Sequence, residues 1–531
     1  MKYLLSILFL LFNIGLLSQN IIDLALDSNY RSVPEFGFNG NTIRGPGWSD
    51  LVFNDSVATM YPEILRYPGG GPADYWDWNT GWFLPQSVLD TAITDTIYTM
   101  NSGWYNLDTL DNRPIIFQQA LDQIGAEGLY IMNMMSANIS VQSQYLRNVI
   151  NDGVYINKVE LGSETNHDNI FKIMKYPTAG DYARACNIYI DSIRAIVPNV
   201  EIAVVGGNRG ADSSRSWSWN DSIYNIVDSA DALVWHPYIY LTDEDTSYTK
   251  EQILAYPFYR IPLIEKWRDF NDTISELQDY EIWVTEYNLF DKTYDLRYTN
   301  TWAHVLIMAG MHNMLMYNDL VEMLLLHNVG GIFNNFDALN TQNNFRKRST
   351  GFFAHILYNT MKDMDHANPI ITPESLIDTI NYQNSNGLVN EVFYPKLFGW
   401  KFKNNNKESA AVINISNDTL FISISSFFAG EVSWVKWSSD SLFASIDSAT
   451  YIYTDIDSGT INVKILPYSI NIAFSNDNIS YSSGSSHEII ESNRKLIKIV
   501  DVLGRRSEHK NNVILFFIYD DGTVEKKFFL D

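Results

Sequence analysis

The stretch Lys158-Val-Glu-Leu-Gly-Ser-Glu-Thr-Asn-His167 has the pattern of a short buried strand that ends in polar residues. Glu164 stands just past its apolar part. A second stretch, Glu281-Ile-Trp-Val-Thr-Glu-Tyr-Asn288, repeats this arrangement, with Glu286 after the apolar run. An unpaired carboxylate next to buried apolar residues is costly. The two stretches therefore predict strands that carry a functional glutamate at the carboxyl end.

Apolar runs alternate with helical patterns from residue 30 to about residue 360. This alternation is typical of βαβ units and a parallel sheet. Polar or aromatic residues follow several of the runs, and in a (β/α)8 barrel those strand ends form the active-site face. We predict a (β/α)8 TIM barrel over residues 19–365; the alternative is that these polar residues are ordinary loop residues. The eight predicted strands are Glu35–Phe38, Ile64–Tyr67, Leu129–Met134, Lys158–Leu161, Ile202–Val205, Ala232–Trp235, Ile282–Thr285 and Met323–Leu326.

The rest of the chain has a different pattern. Short alternating segments without helical periodicity predict an attached antiparallel β-sandwich over residues 366–474. A linker rich in Ser, Asn and Gly is predicted over residues 475–486. Residues 487–531 are predicted to form a small C-terminal β domain, with a tight hairpin turn at Asp520-Asp521-Gly522.

The amino-terminal residues predict an export signal. Lys2 precedes the apolar run Leu4–Leu17, which is too short to span a membrane, and Ser18-Gln19 offers a small-residue cleavage point. Residues 1–18 are therefore predicted to be a signal peptide. No later apolar run approaches the ~20 residues that a transmembrane helix needs, so we expect no transmembrane segment in the mature protein.

Composition narrows the classes of function. The 531 residues carry a net charge of −25, which makes nucleic acid a poor partner because a phosphate-backbone binder needs a basic surface. The one cysteine, Cys186, lies in a helical pattern and is expected to be packed and inert. Zinc-protease, phosphate-loop and serine-hydrolase motifs are absent from the sequence. Nothing in it demands a metal or an organic cofactor.

Two carboxyl groups at strand ends suit glycoside hydrolysis. One gives a proton to the leaving oxygen, and the other attacks the anomeric carbon or activates water. Here the chain resembles the glycoside hydrolases of clan A, in which the acid/base ends strand four and the nucleophile ends strand seven. The resemblance covers about residues 30–470. It implies a retaining enzyme with Glu164 as general acid/base and Glu286 as nucleophile, acting on a polysaccharide or oligosaccharide.

Two further motifs fit this clan, namely Arg66-Tyr-Pro-Gly-Gly70 and Trp235-His-Pro-Tyr238. The chain is most similar to the subgroup with a β-sandwich on the barrel, which includes arabinofuranosidase-, β-xylosidase- and heparanase-like enzymes. The resemblance implies that Arg66 keeps the nucleophile ionised, the alternative being a structural ion pair. It also implies that His236 and Tyr238 line the sugar subsite.

The remaining substrate-binding candidates are Ser163, Asn208, His327, Trp76 and Trp78. Clan members usually have Asn, which binds the sugar 2-hydroxyl, where this chain has Ser163, a side chain of shorter reach. The two tryptophans lie in an aromatic loop and are expected either to stack on a sugar or to plug the barrel mouth. The departure at position 163 also motivates a rival interpretation, that the chain is a non-catalytic exported glycan-binding protein on a decayed barrel.

The C-terminal residues resemble the sorting domain of type IX secretion. The matching runs are Lys498-Ile-Val-Asp-Val-Leu-Gly-Arg-Arg506, Val513-Ile-Leu-Phe-Phe-Ile-Tyr519 and Asp521-Gly-Thr-Val-Glu-Lys-Lys-Phe-Phe529. The resemblance implies that type IX secretion machinery is a partner. The protein would then be secreted, or held at the cell surface, by a Gram-negative bacterium. The alternative is a small accessory β domain.

Overall fold

The structure of the protein is a computed structural model. It forms two compact units, Met1–Tyr481 and Ser482–Asp531. The predicted signal peptide, Asn208 and residues 476–486 of the predicted linker lie outside the described residues. The described residues are 21–43, 45–85, 111–207, 219–268, 280–331, 336–383, 387–430, 432–439, 441–446, 453–458, 461–475, 496–501, 514–519 and 524–528.

Eight parallel strands close into a barrel. Each strand pairs with the next in chain order, and the eighth strand pairs with the first, which closes the barrel. The predicted (β/α)8 barrel is therefore confirmed. The strands are β1 (Glu35–Asn39), β2 (Ile64–Tyr67), β3 (Glu127–Met132), β4 (Lys158–Leu161), β5 (Glu201–Val205), β6 (Ala232–Val234), β7 (Glu281–Asp291) and β8 (Val321–Leu326).

A helix follows each strand of the barrel. Side-chain oxygens cap several of the helix N-termini, as Asp50 and Thr301 show at α1 and α7. Helix α7 is apolar and buried on nearly all sides because it lies between the barrel and the sandwich, where its Trp302 donates to the carbonyl of Tyr468. The helices are α1 (Leu51–Ala58), α2 (Pro114–Ile124), α3 (Ile139–Asn151), α4 (Ala179–Arg194), α5 (Trp219–Ile226), α6 (Lys250–Arg268), α7 (Trp302–Met316) and α8 (Ser349–Met361), with a short helix Ile170–Lys175 before α4.

Antiparallel sheets of the β-sandwich follow the barrel, as predicted. The larger sheet has the order β9-β12-β13-β18-β15-β16, and the smaller pairs β14 with β17. Strand β16 is described from Tyr453 onward. The strands are β9 (His366–Ile371), β10 (Ile377–Gln383), β11 (Val389–Pro395), β12 (Leu397–Lys403), β13 (Glu408–Asn414), β14 (Leu420–Ser423), β15 (Val432–Ser438), β16 (Tyr453–Ser458), β17 (Asn462–Ile465) and β18 (Ser469–Ser475).

The amino-terminal residues belong to the sandwich rather than to the barrel. Ile22–Asp23 pairs with β14, and Ala25–Leu26 and Arg31–Ser32 both pair with β9. Leu24 packs into the sandwich core with Ile422. These strands complete sheet edges, so the barrel itself begins at β1 rather than at residue 19.

The second unit contains a three-stranded antiparallel sheet in the order β19-β20-β21. Its strands are β19 (Leu496–Asp501), β20 (Ile514–Tyr519) and β21 (Val524–Phe528). Among the described helices of the whole chain, none is long and apolar enough to cross a membrane.

Candidate active site

Charged side chains from the second, fourth and seventh strands meet at the carboxyl end of the barrel. Arg66 in β2 is fully buried and donates two hydrogen bonds to Glu160 in β4, each of 2.7 Å. Its Nη1 atom donates to Glu286 Oε1 at 2.6 Å and to Asn39 Oδ1 at 3.0 Å. Burial lowers the pKa of Arg66, but Glu160 and Glu286 raise it by more, so Arg66 stays a cation. It acts both as a structural ion pair and as the counter-charge of Glu286.

Glu286 is held as an anion. Its side chain is only 7% exposed, and Tyr238 donates to Oε2 at 2.7 Å while Arg66 binds Oε1. Burial favours the neutral acid, but the electrostatic interactions with His236, His327 and Arg66 outweigh burial and lower the pKa of Glu286 to about 2. Gly70 allows the close approach of the loop after β2, since a Cβ there would lie 2.9 Å from Oε1 and the residue has a φ of +59°.

Asn39 fixes the protonation of His327. A guanidinium only donates, so Asn39 turns its oxygen to Arg66 and its amide nitrogen to His327 Nδ1, 2.7 Å away. That ring nitrogen is therefore an acceptor, although it also lies 3.3 Å from Glu286 Oε2. Burial lowers the pKa of His327, which agrees with a neutral ring. Arg66 is thus the permanent positive charge beside Glu286.

Glu164 faces the open side of the cluster. Its side chain is 33% exposed, and its two oxygens lie 3.2 Å from His236 Nδ1 and 3.2 Å from His167 Nδ1. The other ring nitrogen of His236 is 3.0 Å from the hydroxyl of Thr285. Burial raises the pKa of Glu164, but the hydrogen bonds from His167 and His236 lower it by more, to well below its ordinary value. Glu164 is therefore ionised at neutral pH in the unliganded site.

The backbone of Glu164 has a φ of +48°, in the left-handed region that side chains other than Gly seldom adopt. Lys172, in the short helix after the loop, donates to the carbonyls of Ser163 and Glu164 at 2.6 and 2.9 Å. These bonds hold the loop in that conformation and direct the carboxyl group of Glu164 into the cleft.

The two carboxyl groups lie close together. One oxygen of Glu164, one of Glu286 and a ring nitrogen of His236 are all within 4.8 Å of one another. Among the described residues this trio is also the group that could ligate a metal ion. Arg66 and Tyr238 already bind the two oxygens of Glu286, however, and a guanidinium 2.6 Å away repels a metal cation. The arrangement suits acid–base and nucleophilic chemistry better than metal binding.

Three predicted substrate-binding residues do not face the cleft. The Ser163 hydroxyl is fully buried and accepts from Arg66 at 3.3 Å, so it completes the surroundings of that arginine. Trp76 and Trp78 are each 1% exposed and pack against Tyr67. Neither indole has a face open to a sugar, and the packing supports the alternative that they fill the barrel mouth. The predicted residue Asn208 is not described.

Four residues outside the predicted set also matter at the site. Glu160 is a charge inside a buried strand, which could have marked it as the partner of Arg66. His167 and Lys172 follow Glu164 by a few residues and carried no separate pattern. Tyr240 is 40% exposed and lines a cavity of about 170 Å³ beside Glu164, together with His236 and Tyr238. It takes the place at the open cleft that the sequence had suggested for the tryptophans.

Solved structures share this architecture at low sequence identity. An α-L-arabinofuranosidase from Thermotoga maritima, in complex with arabinose, is 15% identical over 86% of this chain and 99% of its own, with a TM-score of 0.62. AbfB, a family 51 α-L-arabinofuranosidase from Bifidobacterium longum, is 13% identical over 86% and 99%, with a TM-score of 0.65. A 4-O-α-L-rhamnosyl-β-D-glucuronidase from Fusarium oxysporum 12S is 12% identical over 86% and 100%, with a TM-score of 0.55.

No protein-family model and no curated protein sequence matches the chain. At 12–15% identity the structural likeness establishes a shared fold. The chain is thus a (β/α)8 barrel with an attached β-sandwich, and its activity has to be argued from its own residues.

Proposed function

We propose that the protein is a retaining glycoside hydrolase, with Glu286 as nucleophile and Glu164 as general acid/base. The observation that carries the proposal is that an oxygen of Glu164 and an oxygen of Glu286 lie within 4.8 Å of one another. Retaining enzymes hold their carboxyl groups about 5–5.5 Å apart, whereas inverting enzymes need about 6.5–9.5 Å to admit a water molecule. An approach this close agrees with the separation of a retaining enzyme and is shorter than that of an inverting one.

The different surroundings of the two glutamates assign their roles. A nucleophile must be ionised, and Glu286 has a permanent cation on one oxygen and a phenol donor on the other. A general acid/base must exchange protons with the leaving group and with water. Glu164 is the more exposed of the two, and it borders the cavity beside the cluster.

The reaction then follows in two steps. In the first, Glu286 attacks the anomeric carbon, the bond to the leaving oxygen breaks, and Glu164 gives that oxygen its proton. In the second, Glu164 removes a proton from water, which attacks the same carbon and releases Glu286. Tyr238 and Arg66 stabilise the carboxylate of Glu286 before attack and again as it leaves.

The pKa of Glu164 predicts an acidic pH optimum. The first step requires the protonated acid, and the protonated fraction falls as the pH rises above the pKa. Because His167 and His236 lower that pKa to well below its ordinary value, kcat/KM should already decrease with rising pH inside the acidic range.

The test is chemical rescue of two variants on an aryl glycoside with a good leaving group. Glu286→Ala should lose hydrolysis for every leaving group, and added azide should then give a product of inverted configuration. Glu164→Ala should keep its first step with a dinitrophenyl leaving group but lose about 10²–10⁴-fold on natural sugars. Azide should give this variant a product of retained configuration, seen by NMR.

The matched control is Glu281→Ala, which removes an exposed glutamate from the opposite end of the same strand β7. It should retain full activity. Retained product from Glu286→Ala together with inverted product from Glu164→Ala would reverse the two roles. Absence of rescue in both variants would contradict the two-carboxylate mechanism.

For the substrate we propose an O-glycosidic bond in a polysaccharide or oligosaccharide. Two of the solved structures with this fold are α-L-arabinofuranosidases, so 4-nitrophenyl α-L-arabinofuranoside is the first substrate to test. Aryl β-xylosides follow because the sequence resembles β-xylosidase-like enzymes, and aryl β-glucuronides because one solved structure with this fold is a rhamnosyl-β-D-glucuronidase.

We also propose that the protein is exported through type IX secretion and has a sorting domain over residues 487–531. The motif order of the C-terminal residues supports this, as does a separate unit with three antiparallel strands. Removal of residues 487–531 should leave the protein in the periplasm of a host that has this secretion system. Fractionation and immunoblotting would show it, and continued release into the medium would contradict the proposal.

No observation favours the rival interpretation of a non-catalytic glycan-binding protein. That interpretation was based on Ser163, but the Ser163 hydroxyl contacts Arg66 inside the protein and does not face the cleft. If the protein bound glycans without hydrolysing them, and if Glu286→Ala left that binding unchanged, the glycan-binding interpretation would be supported.

A further inference from the structure

A second cleft, of about 510 Å³, lies at the amino-terminal end of the barrel, opposite the catalytic glutamates. One side is formed by Tyr317 and Asp319, between α7 and β8, and by Glu322 at the start of β8. The other side is formed by the amino-terminal residues 27–32, and Trp400 of the sandwich also lines the cleft.

Hydrogen bonds fix the positions of two residues that line this cleft, Arg31 and Trp400. Arg31 donates to the carbonyls of Met316 and Asn318 at 2.6 and 2.7 Å and also to that of Val321, so it joins the amino-terminal residues to the loop after α7. Trp400 is 4% exposed and donates to Asn313 Oδ1 at 3.0 Å. A ligand would therefore meet a site that is largely formed in advance, with little ordering left to lower its affinity.

The lining combines aromatic faces with hydrogen-bond acceptors. Tyr30 is 62% exposed and Tyr317 is 48% exposed, and the Tyr317 ring lies 5.0 Å from that of Trp400. Exposed rings of this size suit the CH faces of sugars, while the carboxylates and the amide of Asn29 can accept from sugar hydroxyls.

The charges of the cleft limit the kind of sugar. Asp27, Asp319 and Glu322 supply negative charge. Among the described residues that line the cleft the one cation is Arg31, which donates to backbone carbonyls. An anionic glycan would be repelled. We propose that this cleft is a second, non-catalytic carbohydrate site that binds a neutral part of the polysaccharide hydrolysed at the barrel. The choice of a sugar ligand rests in part on the proposed glycosidase function.

The test is affinity electrophoresis of the full chain in gels that contain one soluble polysaccharide each. The neutral probes are arabinan, arabinoxylan and β-1,4-galactan, and polygalacturonate is the anionic probe. Glu286→Gln serves as the background, so that the probe is not hydrolysed during the run. Tyr30→Ala and Tyr317→Ala should each raise the dissociation constant for a neutral probe about tenfold, because each removes a stacking face.

The matched control is Tyr155→Ala, since Tyr155 is 64% exposed and does not line the cleft. It should not change retardation, and polygalacturonate should retard none of the variants. The inference is overturned if no neutral probe retards the parent, or if Tyr30→Ala and Tyr317→Ala behave like Tyr155→Ala. The inference is also overturned if the cleft binds calcium ions and no sugar. That outcome would appear as a calcium-dependent thermal shift that Asp319→Asn abolishes, while no polysaccharide retards the protein.

Hydrolysis of small aryl glycosides separates this inference from the proposed function. With Glu286 intact, Tyr30→Ala and Tyr317→Ala should leave that activity unchanged but slow the hydrolysis of polymer. Hydrolysis of aryl glycosides together with retardation that does not depend on Tyr30 or Tyr317 would contradict the second binding site but support the proposed glycosidase function. Retardation that depends on Tyr30 and Tyr317, without hydrolysis of any glycoside, would support the second binding site but contradict the proposed glycosidase function.

Discussion

The carboxyl ends of β4 and β7 present the same residue type in two different environments. Glu286, at β7, is 7% exposed and receives hydrogen bonds from Arg66 and Tyr238. Glu164, after β4, is 33% exposed, and its partners are the imidazole rings of His167 and His236, each 3.2 Å away, rather than a guanidinium. A permanent counter-charge suits a nucleophile and a more exposed carboxyl group suits a proton carrier, so the proposed roles rest on the surroundings of the two glutamates.

The largest expected effect comes from removing the fixed charge. Arg66→Met leaves Glu160 and Glu286 buried without a cation, which should reduce the free energy of unfolding by about 3–5 kcal/mol. Glu164→Gln should change it by less than about 1 kcal/mol, because the side chain is partly exposed and has no permanent counter-charge. Denaturant unfolding of both variants measures this contrast. Equal free energies of unfolding in the two variants would contradict the difference in electrostatic environment between the two strand ends.

The phenol of Tyr238 should have the next largest effect. Tyr238→Phe removes one donor to the Glu286 carboxylate, and hydrogen bonds to charged groups contribute about 1.5–3 kcal/mol, so kcat/KM should fall roughly 10–100-fold. The pKa of Glu286 should rise from about 2, which moves the acid limb of the pH profile to higher pH.

Tyr240→Phe is the control for that change, because the Tyr240 ring lies 6.2 Å from the ring of Tyr238. It removes a neighbouring phenol that has no hydrogen bond to Glu286 among the described contacts. A shift of the acid limb in Tyr240→Phe as large as in Tyr238→Phe would show that the contact to Glu286 is not the cause.

His167 should alter the pH profile more than the maximal rate. His167→Ala removes one of the groups that lower the pKa of Glu164, so that pKa should rise. The general acid then stays protonated to higher pH, and the alkaline limb of kcat/KM should move upward while the acid limb set by Glu286 stays in place. His167→Gln, which can donate without a charge, should give a smaller shift. Movement of the acid limb alone would contradict the assignment of Glu164 as the acid.

The smallest effect is expected at Ser163. Ser163→Ala removes a 3.3 Å hydrogen bond to Arg66, which keeps its stronger bonds to Glu160 and Glu286. The free energy of unfolding should fall by about 0.5–1.5 kcal/mol, and kcat/KM should change by less than about tenfold. Steady-state kinetics on an aryl glycoside measure this. A loss of about 100-fold or more would mean that the hydroxyl binds the sugar after all.

Much of the barrel could be predicted because its signals are local. The bounds of β2 and β4 agree with the prediction residue for residue, since turn-forming residues, Pro68-Gly69 and Gly162, follow each strand directly. Strand β7 was predicted to end at Thr285 but continues to Asp291, because Tyr238–Leu241 pairs with its polar second half. The two-residue strands at the amino terminus are too short for any periodicity to reveal them.

The barrel, the sandwich and the two strand-end glutamates, Glu164 and Glu286, could be predicted from local patterns, because hydrophobic periodicity and strand-end residues are properties of neighbouring positions. Tertiary structure alone decided which charges meet. Arg66 and Glu286 are 220 positions apart in the chain, and no local pattern reports that they lie 2.6 Å from one another. The burial of Trp76 and the inward direction of Ser163 were decided in the same way, by packing between segments that only the folded chain brings together.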